Sequence, residues 1–209
     1  MHDTTLPVES SAATYASKAI SYILHPFLIP LYLIFAIFGS GLVPMYVSAS
    51  MERYLFGLIT VSTVFIPAMA IIILRLFRII PDYSLTTRHD RILPLLIVAF
   101  SYGMCGWVLQ DVQMAFLLRR CVFAAMGCVI FAFVLNLFWQ VSLHMTAVGG
   151  AVGIISILVY GGYVKLVWVL CAAILLAGLL GSARLYLGKH DLLQVAAGFF
   201  GGFFISILI

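Results

Sequence analysis

Long apolar runs alternate with short polar clusters along this chain, and the clusters mark where it can turn. A membrane-crossing helix takes about 20 apolar residues. On that measure the charge-free windows predict seven spans. They run roughly Ile20 to Phe38, Tyr54 to Phe77, Ile92 to Leu109, Ala115 to Phe138, Met145 to Tyr160, Val164 to Tyr186, and Leu192 to Ile209. Pro26 and Pro30 fall in the opening turns of the first, and Pro67 predicts a kink in the second. Cys121 to Val164 carries no acid, lysine or arginine and is too long for one crossing, so it is expected to break at the polar patch from Asn136 to His144, NLFWQVSLH. The fold expected is all-α, a polytopic transmembrane helix bundle of six to seven spans. Residues 20–209 form its single domain behind a polar tail of residues 1–19. That tail lacks the basic start of a signal peptide.

The span count has a consequence for topology. The connection Arg78 to Arg91, the patch Asn136 to His144 and the cluster Arg184 to Gln194 are each two crossings apart. Two crossings return a chain to the same side, so all three clusters are expected at one end of the bundle.

Composition agrees with lipid as the solvent. Of the 209 residues 65% are hydrophobic and 9% charged, and mean hydropathy is +1.21, against about 25% charged in soluble domains. The net charge of +4 comes from short clusters. That pattern suits anionic headgroups and gives no broad basic face for nucleic acid. Cys105, Cys121, Cys128 and Cys171 all lie inside apolar runs, as packing residues would. Gly149 with Gly153, and Gly198 with Gly202, have the small-xxx-small spacing of closely packed membrane helices.

The stretch SARLYLGKHDLLQ, Ser182 to Gln194, interrupts the apolar sequence with Arg184, Lys189, His190, Asp191 and Gln194. Charge at mid-bilayer costs about 3 kcal/mol per residue, so such a cluster belongs at a membrane edge or in a wet cavity. Three of the five histidines, His89, His144 and His190, fall one in each cluster, with Arg88 and Arg91, Ser142, and Arg184 beside them. Arginine offers a planar fork to phosphate oxygens. Histidine serves as nucleophile or proton donor near neutral pH. This combination points to a phosphate ester held at the membrane surface. His25, beside Pro26, reads as structural, and Arg75, Arg78, Arg119 and Arg120 as flanking charge. No acid or cysteine stands at ligand spacing from His144 or His190, so neither a metal nor a cofactor is expected.

Arg184-x5-His190 preceded by Ser182, with Ser142-Leu143-His144 about forty residues upstream, resembles the type 2 phosphatidic acid phosphatase superfamily. Its pattern is K-x6-R-P, then P-S-G-H, then S-R-x5-H-x3-D. The likeness covers roughly Arg88 to the end of the sequence, and its third motif is the most specific. It implies a metal-independent lipid or isoprenoid phosphatase working through a phosphohistidine. By resemblance His190 attacks phosphorus and His144 protonates the leaving oxygen. Arg184 and Arg91 clamp the phosphate, and Ser142 with nearby N–H groups holds its oxygens. The implied partners are a lipid phosphate substrate and membrane lipids.

Several positions depart from the pattern. Ser84 stands seven before Arg91 in place of lysine, and Arg88, one helical turn from Arg91, is the expected substitute. Val141 and Leu143 replace proline and glycine, and Ala183 separates Ser182 from Arg184. Gln194 replaces the aspartate that would accept a hydrogen bond from His190. It keeps the bond but supplies no charge, and Asp191 points elsewhere on its helix. Two other readings therefore stand beside the phosphatase: a lipid phosphotransferase, and a catalytically degenerate member that binds or moves a phospholipid. Basic residues number seven on the motif side and four on the other, and setting aside Arg88, Arg91, Arg184 and Lys189 leaves three against four. The resemblance implies a bacterial inner membrane with the site on its periplasmic face.

Overall fold

The computed structural model describes residues 12–41, 48–83, 85, 87–112 and 115–209. Among them there is no strand, and the chain is an all-helical transmembrane bundle. Five helical segments are long and apolar enough to cross a membrane: Ala49–Leu76, Arg88–Asp111, Phe116–Phe138, Leu143–Tyr160 and Val164–Tyr186. Two shorter apolar helices, α2 (Ile29–Gly39) and α9 (Leu192–Leu208), complete the bundle. Large side chains such as Phe35, Phe100, Leu175 and Phe204 point outward, as lipid-facing surface requires.

The first expected span is not one helix. The chain forms α1 (Ala12–Ile23), breaks at His25, and resumes as α2. Pro26 and Pro30 each remove a backbone donor, and α2 begins with proline in its first turn. At 11 residues α2 is only about 16 Å long, half a bilayer. Residues 12–19, read as tail, are the first two turns of α1, which packs on α8 (Val167–Tyr186) with Ser17 and Ser21 buried. Residues 1–11 of that tail, and Ser84, lie outside the described residues.

Pro67 acts as expected, by a local device. α3 (Ala49–Thr60) runs into α4 (Ile66–Leu76) through one π-turn, Val61–Phe65. The Ile66 N–H bonds the Val61 carbonyl, and Pro67 has no N–H to offer. The Ser62 carbonyl is instead met from α5 (Arg88–Val108) by the Ser101 hydroxyl at 2.7 Å.

Two contacts bring the polar clusters to one end, as the crossing count required. α5 and α6 (Phe116–Phe138) are the two crossings between the first and second clusters. Asn136 on α6 donates to the Arg88 carbonyl at 2.8 Å, and Arg88 donates to the Phe138 carbonyl at 2.6 Å. α7 (Leu143–Tyr160) and α8 are the two crossings between the second and third. The Ser142 N–H donates to the Gln194 carbonyl at 3.3 Å. Below this junction Leu24, Ile29, Met145, Val148, Leu180 and Val195 form a core joining five helices.

The glycine spacing is used as expected. α7 and α9 lie backbone to backbone. A Cβ on Gly149 would strike the Phe199 carbonyl, and one on Gly202 would strike the Thr146 carbonyl. A Cβ on Gly198 would come within 2.8 Å of the Ser142 carbonyl. Cys105, Cys121 and Cys128 are buried in packing positions, while Cys171 is exposed.

Candidate functional site

His190 lies in the turn between α8 and α9 and is 8% exposed. Asp191 caps α9, accepting the Gln194 N–H at 2.8 Å, and the Gln194 side chain reaches back to the Asp191 N–H at 3.3 Å. A backbone N–H only donates, so the Gln194 atom it meets is Oε1. That same oxygen lies 2.8 Å from His190 Nδ1. Nδ1 is therefore the donor, and the lone pair of the neutral ring sits on Nε2. Burial, above all, pushes the His190 pKa below its usual 6.5. The Gln194 bond opposes that shift, while the Arg184 and Arg91 guanidinium groups add to it. The result is a neutral imidazole with a defined nucleophilic atom, facing two cations.

Arg184 is on the last turn of α8, and its Nε is buried with no hydrogen-bond partner. Arg91, in the first turn of α5, is held by Nε on the Leu85 carbonyl at 2.8 Å. Ser142 is the N-cap of α7. It is fully buried, and its Oγ caps nothing and has no partner. An unsatisfied buried donor or acceptor costs about 1–3 kcal/mol. Among the described residues three buried side-chain polar atoms are orphaned, and two of them, Ser142 Oγ and Arg184 Nε, belong to the set expected to hold phosphate. The third is Asn136 Oδ1, whose amide nitrogen holds the Arg88 carbonyl.

His144 is held differently. Its Nε2 lies 3.2 Å from the Ser21 carbonyl of α1, so Nε2–H donates and Nδ1 is the atom left to exchange a proton. The His25 ring meets His144 edge-on, centroids 5.7 Å apart. The Phe27 N–H holds His25 at Nδ1, 3.3 Å away. Burial first, and Arg184 second, push the His25 pKa below its usual value. His25, expected to be structural, thus sits inside the cluster. The sequence signal for this was the pair of prolines that follows it, Pro26 and Pro30, which breaks the chain where the histidine stands.

Not every expected residue converges. Arg88 is exposed and braces α5 against the end of α6, sharing one open polar cleft with Gln194 at the rim. Ser182 is exposed on the other side of α8 from Arg184, so that part of the third motif does not join the site. His89 is also exposed.

Beneath the histidines lies an apolar cleft between α2, the π-turn Val61–Phe65, α5, α6 and α7. About 840 Å³ lies between its lining atoms, counting the mouth, and about 90 Å³ of this admits the centre of a water molecule. Pro26, next to His25, and Leu143, next to His144, line the cleft at the site end.

No family model matches the chain, and neither does any curated protein or solved structure.

Proposed function

We propose that this protein is a membrane-embedded lipid phosphatase, hydrolysing a phosphomonoester or pyrophosphate of a lipid through a phosphohistidine. The observation that carries the reading is the pairing of a tautomer-locked His190 with two orphaned polar atoms on expected phosphate ligands. His190 Nε2 attacks phosphorus and the P–O ester bond breaks. The leaving alkoxide takes a proton from Nδ1 of His144, which enters this step as the imidazolium beside the bound phosphate, its Nε2–H still on the Ser21 carbonyl. Water then attacks the phosphohistidine, gives its proton back to His144 and breaks the N–P bond, releasing inorganic phosphate. Arg184 and Arg91 neutralise the oxygens throughout, and Ser142 Oγ donates to one of them. The transition state asks for little beyond placement and positive charge.

A second reading is binding or movement of a phospholipid without turnover. It is favoured by the neutral Gln194 and by a His144 ring already committed to the Ser21 carbonyl. The reading as phosphatase carries with it a bacterial inner membrane and a periplasmic-facing site, supported by the motif resemblance.

The test is phosphate release from a panel of lipid phosphates by the purified protein in detergent with EDTA, beside His190→Ala. Release that disappears in the mutant supports the phosphatase. Lipids that bind and raise Tm with no release by the parent support the binding reading. Discharge onto an added alcohol, giving a new phosphate ester, identifies a phosphotransferase.

A further inference from the structure

The apolar cleft begins where the phosphate site ends, at Pro26 and Leu143. Along α7 it is lined by Leu143, Thr146, Ala147, Gly150, Ala151 and Ile154. That is one helix face over twelve residues, eleven steps of 1.5 Å or about 16 Å. On α6 its lining runs from Ala132 near the site to Cys121 away from it, over the same length. Half of a bilayer's hydrocarbon core is about 15 Å. The cleft therefore matches the reach of one lipid tail in one leaflet.

Its walls are chemically suited to hydrocarbon. The two threonines turn their hydroxyls to backbone: Thr63 to the Ile59 carbonyl at 2.8 Å, and Thr146 to the Ser142 carbonyl at 3.1 Å. Among the described residues no charged side chain lines it. Small residues, among them Ala125, Ala147, Gly150 and Ala151, keep it open. The clear space along that length, about 90 Å³, is narrow and suits one hydrocarbon chain.

We infer that the cleft is a tail-binding site, and that the substrate is a single-tailed lipid phosphate whose one hydrocarbon chain passes Leu143 into the bundle. This rests on the phosphate reading of the site above. Leu143, the departure from the glycine of the resembled motif, is then part of the wall where head meets tail. Straight alkyl and methyl-branched isoprenoid phosphates share the required chemistry.

The experiment compares kcat/KM for a series of alkyl and isoprenyl phosphates of rising tail length, a two-tailed diacyl phosphate and a short soluble phosphate ester. It uses the full chain in detergent, with Ala151→Phe and Ala147→Phe alongside. The expected result is a rise of at least about tenfold from the shortest tail to one of leaflet length, with the two-tailed lipid about tenfold poorer. The long-to-short ratio falls about tenfold in each variant, a readout that general misfolding would not move. A two-tailed lipid equal to the single-tailed ones, or a ratio unmoved in both variants, overturns the inference. If the variants do not fold, the tail series on the parent decides alone. If nothing is hydrolysed, the phosphatase reading falls, and the same panel read by Tm judges the cleft. A tail-length-dependent rise keeps it, and a rise indifferent to tail length ends it. The alkyl and isoprenyl arms then separate the two sources.

Discussion

The two central histidines are held in opposite ways. His190 is fixed by Gln194, four residues on, inside one capping box. His144 is fixed by the Ser21 carbonyl, 123 residues away. The first is a local arrangement that forms whenever α9 starts where it does. The second exists only when α1 is docked against α7 and α8. Local bonding gives His190 a set tautomer, with its lone pair on Nε2. Long-range bonding makes His144 a reporter of the assembled bundle.

Mutations can break this comparison. His190→Ala is expected to abolish phosphate release, a loss on the order of 10⁴-fold or more, as for removal of other covalent nucleophiles. Trapping radiolabelled phosphate on the parent and not on the mutant checks the covalent step. His144→Ala should cost about 10²- to 10⁴-fold, the range for a lost proton donor. A substrate with a better leaving group, such as an aryl phosphate, should recover part of that loss in His144→Ala and none of it in His190→Ala. Equal behaviour of both mutants on both esters would end the division of roles.

Gln194→Asp sharpens the comparison from the other side. A carboxylate keeps the Nδ1 bond and adds the charge that stabilises the imidazolium. The expected gain in kcat is about tenfold or more, well short of the ~10⁴-fold lost in a serine-protease triad, because part of that loss is a wrong tautomer and Gln194 already sets the right one. The pH profile moves with it. Burial keeps the folded His190 pKa below 6.5, so the ring stays neutral as pH falls through 6.5 and the acid limb of kcat/KM lies lower. In Gln194→Asp that limb should shift upward. The same depression gives a sign for stability. Between the folded value and 6.5 the unfolded chain binds the extra proton, so this contribution is present above 6.5 and is lost as pH falls. The smallest effect is expected from His25→Ala, less than about tenfold in kcat, since its ring supports His144 edge-on. A loss as large as that of His144→Ala would instead make His25 the proton donor.

What the sequence revealed follows the same division. The spans, the shared end of the polar clusters, the His190–Gln194 pair and the glycine faces all depend on spacing within one or two elements. Hydropathy did not reveal the break at His25, because Ile20 to Phe38 stays apolar across it; only Pro26 and Pro30 marked the lost donors. Ser182 faces away from Arg184 because two positions on one helix lie about 200° apart, which the match to the motif alone does not register. Arg88 read as a phosphate ligand by its distance from Arg91, yet the end of α6 lies within its reach and offers the Phe138 carbonyl. The cleft was invisible for a simpler reason: a void belongs to several helices at once.

The glycine contact between α7 and α9 bears on how finely the site can be aligned. With Gly149, Gly198 and Gly202 pressed on opposing carbonyls, the two helices mesh like a rack and pinion with no play. Sliding α9 along α7 would bring positions that carry a Cβ against those carbonyls. The offset between Ser142 and His190 is thus calibrated along the whole shared length of the two helices, and the single bond from Ser142 to Gln194 reads out that setting without having to enforce it.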